Sequence, residues 1–157
     1  MRCTYLWNHG KVTRTHWLVY ICGSLIAFVW EIYQMPFFVP GNLEPYEQTI
    51  RCGIASLGDG LILLAAYTLA AMKGGRAWFR QGARISYAVY FGFGLVVAIA
   101  VEIMATSLPS DSLLSWRYSD LMPHEPLTGM ALIPIAMWTI VPALTILLVR
   151  FAQTERN

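Results

Sequence analysis

The chain has 157 residues, 57% of them apolar and 13% charged, with a net charge of +2 and a mean hydropathy of +0.52. Soluble domains carry about 25% charged residues, so this composition excludes an ordinary water-soluble enzyme or a disordered arm. The basic residues are dispersed, with no Gly-rich phosphate loop and no basic-aromatic platform, which sets nucleic acid aside as a partner.

Four apolar stretches follow one another, at about 17–38, 52–72, 85–108 and 127–149. Each is long enough, at about 1.5 Å per helical residue, to cross a hydrocarbon core of about 30 Å. Lipid satisfies no backbone groups and nothing alternates as a barrel strand would, so the spans are helices. The expected fold is an all-α polytopic membrane protein, one four-transmembrane-helix bundle with no second domain. The first span is too long for a signal-peptide core, and no small-x-small site follows it, so it reads as retained. Lys73–Arg84 is a tight basic turn containing Gly74, Gly75 and Gly82. The 109–126 loop is the longest extramembrane segment, long enough to act as a lid; Asp111–Arg117 reads as a short interfacial helix capped by Ser110.

Nine of the eleven basic residues (Arg2, Lys11, Arg14, Lys73, Arg76, Arg80, Arg84, Arg150 and Arg156) lie on one side, against Arg51 and Arg117 on the other. The positive-inside rule then puts both termini in the cytoplasm of a cell with an inner, or plasma, membrane. Trp7, Trp17 and Trp78 on the inner side, with Trp116 and Tyr118 on the outer side, suit the interfacial aromatic belts. Cys3, Cys22 and Cys52 are scattered, so no disulfide framework is expected.

Glu31, Asp59 and Glu102 stand inside the first three spans, where a carboxylate costs about 2.5–3.5 kcal/mol on insertion scales. Each is six or seven residues from the outer end of its span, which sets all three in one layer roughly 10 Å below the outer surface. They are therefore expected to share a site and to hold a proton among them at pH 7. Ser24, Ala27, Glu31 and Gln34 form an inward stripe on the first helix. Cys52, Ser56, Asp59 and Gly60 do so on the second, and Ala98, Glu102, Ala105 and Thr106 on the third. On the fourth, Met130, Pro134 and Trp138 repeat at the matching depth, and Pro134 is expected to free the Met130 carbonyl.

Three readings fit this layer, besides a purely structural one in which protonated acids lock the bundle. In the first, the acids line a pocket for a small or lipidic ligand and act as an acid/base isomerase or cyclase of apolar substrates. Glu31 and Glu102 then exchange protons, Asp59 tunes them, and Gln34, Ser56 and Met130 line the pocket. Trp30 and Trp138 form aromatic walls, and Trp116 and Tyr118 the lid. In the second, the protein handles protons or a Cu(I)-type metal, for which Met35, Cys52, Met104, Met122 and His124 are weak candidates; methionine is more often helix packing. In the third, the polar layer recruits partner subunits of a larger membrane complex. No cofactor is identified by any motif, and the lipid bilayer is the one partner that composition requires.

Trp30-Glu31-Ile32-Tyr33-Gln34-Met35-Pro36, Gly58-Asp59, Trp116-Arg117-Tyr118-Ser119-Asp120-Leu121-Met122-Pro123 and Pro134-x3-Trp138-x3-Pro142 together resemble a group of uncharacterised bacterial four-span inner-membrane proteins. The resemblance covers nearly the whole chain and implies the same topology, but no activity. Members of that group often place a His before the cysteine matching Cys52; Arg51 stands there here, which weakens a metal site at that point. Glu31 with Pro36 also echoes Glu102 with Pro109, as if the first and third spans were related halves placed across the bundle axis.

Overall fold

The computed structural model describes residues 14–39, 43–76, 78–109 and 115–154. Within them the chain is all-α: α1 (Arg14–Gln34), α2 (Pro45–Gly74), the one-turn α3 (Trp78–Gln81), α4 (Arg84–Ser107) and α5 (Leu132–Thr154). Helices α1 (with the 3-10 turn that follows it), α2, α4 and α5 are all long and apolar enough to cross a membrane, which makes this a multi-pass membrane protein. Outward-facing Ile21, Leu25, Val29, Leu61, Val96, Ile103 and Leu147 are exposed, as expected where the solvent is lipid.

Helix α1 packs on α2 and α5, and α4 packs on the same two, closing a ring in which α1 and α4 stand at opposite corners. Small residues allow the close approaches. A Cβ on Gly94 of α4 would come within 2.7 Å of the Trp138 ring on α5, so glycine there seats the indole against the helix backbone. One end of the bundle carries the start of α1 and the finish of α5, joined by a bond from Gln153 Nε2 to Thr15 Oγ1 at 2.8 Å. The opposite end, bounded by the last turn of α1, the first of α2 and the last of α4, is called the mouth below.

Local signals move two helix boundaries away from the hydropathy reading. Helix α2 begins at Pro45 rather than near residue 52. Pro45 occupies the first turn, and the Glu44 N–H donates to the Glu47 carboxylate at 3.1 Å, a start signal that hydropathy does not register. With 30 residues α2 is about 45 Å long, so its polar first turns stand beyond an apolar layer of about 30 Å. Helix α5 begins only at Leu132, because Glu125–Met130 forms a turn of its own. The Glu125 carboxylate accepts from the N–H groups of Leu127 (3.0 Å) and Thr128 (2.6 Å), and Gly129 takes a positive φ of 71°, a conformation glycine adopts without strain.

That turn corrects the expectation for Met130. It lies outside the helix, and its carbonyl accepts from the Glu125 N–H at 2.8 Å. Pro134 falls in the first turn of α5, where an N–H has no partner within the helix to lose. The proline inside this helix is Pro142. Of the expected interfacial helix, Ser115–Arg117 is non-helical; Ser110–Leu114 fall outside the described residues, as do Trp7 and Cys3.

The basic turn does more than connect. Its helix α3 sends Trp78 into the end of the bundle away from the mouth, where the side chain is fully buried rather than set in an interfacial belt. The indole packs edge-on against Tyr87 at 4.8 Å and lies 5.4 Å from Tyr90, with Tyr67 and Phe79 around it. The hydroxyls of buried Tyr67 and half-buried Tyr87 donate to the carbonyls of Arg76 (2.6 Å) and Phe79 (2.7 Å), so both phenols keep a hydrogen bond. Trp17, 56% exposed, does suit an interfacial position.

Candidate functional site

A cavity of about 750 Å³ opens at the mouth and runs down between the helices. Its polar layer holds Glu31 and Gln34 from α1, Asp59 from α2 and Glu102 from α4. The deeper wall is apolar, with Ala98, Val101, Met137 and Trp138, while Gln48, Arg51 and Arg117 stand at the rim. The inward stripes explain this arrangement. Ser24, Ala27 and Gln34 are buried on α1, Ser56 and Gly60 on α2, and Ala105 on α4. Each acid is carried on a face that its helix turns toward the others.

The three carboxylates have different surroundings. Glu31 lies beside Gln34, whose Oε1 accepts from Trp30 Nε1 at 3.0 Å, and Trp30 stands behind Gln34 outside the cavity lining. Glu102 accepts from the Tyr118 hydroxyl, and Trp116 Nε1 donates to the Tyr118 oxygen at 3.2 Å. Asp59 has no comparable partner: its Oδ2 is buried and, among the described residues, makes no hydrogen bond. Glu31 is within electrostatic reach of Asp59 and Cys52, whereas Glu102 feels His124. The layer therefore divides into a Glu31–Asp59 pair and a separately held Glu102.

The remaining candidates sort by position. Gln34, Trp116 and Trp138 line the cavity, as do Met35 and Cys52. Tyr118 reaches it through Glu102. Ser56 does not: its buried hydroxyl donates one turn back to the Cys52 carbonyl at 2.6 Å. Met130 lies in the Glu125 turn. Of the metal candidates, Met104 is 47% exposed, Met122 is buried in the loop after the strap described next, and His124 stacks edge-on against Tyr118 at 5.7 Å. Among the described residues no three His, Cys, Asp or Glu side chains are grouped closely enough to hold a metal ion.

Over the mouth, in the loop expected to form a lid, runs a strap, 115–119, whose pairing with the end of α1 the residue pattern did not disclose. Phe38 and Tyr118 form an antiparallel bridge. The Val39 N–H donates to the Arg117 carbonyl at 2.9 Å and the Ser119 N–H to the Phe37 carbonyl at 3.0 Å. Phe38 packs against Tyr118 at 5.2 Å and against Trp116 at 6.4 Å. The signal available beforehand was the concentration of Trp, Arg and Tyr in an otherwise polar loop.

The chain matches no protein-family model, no curated protein and no solved structure. The class the structure defines is thus an all-α bundle of four membrane-crossing helices with an acid-lined cavity at one end.

Proposed function

We propose that this is an inner-membrane protein whose cavity receives a small or lipidic ligand from the outer side of the membrane, and that its acids perform proton transfer on an apolar substrate. The observation that carries this reading is one cavity of about 750 Å³ bearing carboxylates from three different helices. That volume lies in the range of small-molecule sites. Acids in such a layer cost insertion energy that close packing with apolar side chains would have avoided. Orientation follows from charge: Arg14, Lys73, Arg76, Arg80, Arg84 and Arg150 lie at the closed end, which the positive-inside rule assigns to the cytoplasm together with both termini.

The chemistry suited to the site is isomerisation or cyclisation of an alkene. One carboxyl gives its proton to a double-bond carbon and a cation forms on the neighbouring carbon. A carboxylate then removes a proton from an adjacent carbon, so no net proton or electron is exchanged. Trp138, in the cavity wall, is the aromatic available to stabilise such a cation. Glu31, beside Gln34, and Asp59, with one buried oxygen unpartnered, supply two carboxyls within electrostatic reach of each other.

The test is mass spectrometry of lipids and small molecules extracted from the purified protein, compared with a Glu31→Gln/Asp59→Asn variant. A specific apolar or amphiphilic compound should accompany the parent and be depleted at least tenfold in the variant, equivalent to about 1.4 kcal/mol of binding. Identical extracts from both folded proteins would refute the reading.

A further inference from the structure

We propose that the strap 115–119 is a latched lid and that Glu102 is its latch, a positioning residue rather than a proton donor. The inference rests on the ligand reading only for what passes beneath the lid.

Helices α1 and α4 stand at opposite corners of the ring, and the strap ties their mouth ends together across the opening. On the α4 side the Arg117 guanidinium donates to the carbonyls of Thr106 at 3.2 Å and Leu108 at 2.9 Å. These lie where α4 ends and its carbonyls lack intrahelical donors, so this anchor also completes the helix. On the α1 side the strap is held by the two backbone bonds flanking Phe38, by the packing of Phe38 on Tyr118 and Trp116, and by a bond from the Ser119 hydroxyl to the Pro36 carbonyl at 2.9 Å. The Ser119 bond lies at an exposed edge where water can replace it.

The bond from Tyr118 to Glu102 is of another kind. It reaches from the strap down into the carboxylate layer, ends on an acid in a region of reduced dielectric, and is reinforced by the Trp116 N–H at the Tyr118 oxygen. A side-chain bond shielded from water in this way is stronger than one at an exposed edge. Glu102 is thus occupied by lid groups. Asp59, with its unpartnered oxygen, and Glu31 remain to meet a ligand, and releasing Tyr118 from Glu102 removes the strap's one tie to the carboxylate layer, leaving it held at its edges by Arg117 and the Phe38 bridge.

Cys52 lines the same cavity and reports on the lid without any ligand. With Cys3→Ser and Cys22→Ser it becomes the one thiol, and its reaction with a water-soluble maleimide can be followed by mass. Tyr118→Phe, which removes a single oxygen, and Glu102→Leu should each speed labelling by roughly three- to tenfold, the loss of one hydrogen bond. Glu102→Gln keeps an acceptor for Tyr118 and should speed it clearly less than Glu102→Leu. An oxidised Phe37→Cys/Ser119→Cys pair, placed directly opposite across the bridge, should slow it below the parent rate. Unchanged labelling in Tyr118→Phe, with an unchanged unfolding midpoint, would overturn the lid. Equal acceleration by Glu102→Gln and Glu102→Leu would overturn the latch role and return Glu102 to acid/base work. Failure of the ligand test above would leave these rates unaffected, so the two ideas fail separately.

Discussion

At the closed end of the bundle Trp78 is packed on every side by Tyr67, Phe79, Tyr87 and Tyr90, whereas at the mouth the same four helices leave about 750 Å³ unfilled. The contrast comes from which side chains reach the axis. The closed end is filled by a large aromatic delivered from outside the spans, on the one-turn α3. At the mouth several inward positions are small or acidic (Ala55, Gly58, Ala98, Glu31, Asp59), Trp138 is set back in the deeper wall, and Trp116 and Phe38 lie above the space as a roof. Close packing is the ordinary state of a protein interior and voids cost stability. A bundle that achieves close packing at one end while confining its void and its buried acids to the other points to use of the second end.

Three substitutions and one titration probe that contrast. The largest expected effect is Trp78→Ala, which empties the closed end and should cost about 3–5 kcal/mol, read as a lower midpoint in detergent unfolding. A loss below about 1 kcal/mol would mean that the plug is not structural. Next comes a matched pair. Ala70→Phe, at a fully buried position near the plug, should cost about 1–3 kcal/mol by overpacking. Ala98→Phe, facing the cavity, should cost less and displace the bound ligand. Equal destabilisation by the two would show that the mouth is as tightly packed as the closed end.

The smallest effect concerns the Glu125 turn. Its bonds to the Thr128 hydroxyl and to the Leu127 and Thr128 amides hold the Glu125 carboxyl below the usual glutamate range. A carboxyl depressed on folding stabilises at pH above its unfolded value and loses that contribution as the pH falls through the folded one. Amide exchange at Thr128 and Gly129 should therefore quicken below the ordinary glutamate pKa. The exposed surface setting keeps the effect small, and exchange independent of pH, after correction for the intrinsic rate, would count against the role given to Glu125.

Much of this architecture is legible in the chain. Span number and helical character follow from apolar runs that must satisfy their own backbone in lipid. The constant rise of a helix converts residue counts into depth, which is how Glu31, Asp59 and Glu102 could be assigned to one layer. Capping displaced the starts of α2 and α5, because Glu44 with Glu47 and the Glu125 turn are local hydrogen-bond arrangements that hydropathy does not register. Ser56 carries the right periodicity for the cavity but satisfies itself on Cys52, a bond within its own helix that leaves nothing to display.

By itself, then, the sequence determined the all-α membrane class and the common level of the three acids, since both depend on quantities that accumulate regularly along a helix. Only the tertiary structure decided how those acids are divided. The attachment of Tyr118 to Glu102, the bare oxygen of Asp59 and the burial of Trp78 in one end rather than a belt all depend on segments meeting across the bundle. Such meetings are set by side-chain shape and by the ring order of the helices, neither of which repeats with a period along the chain.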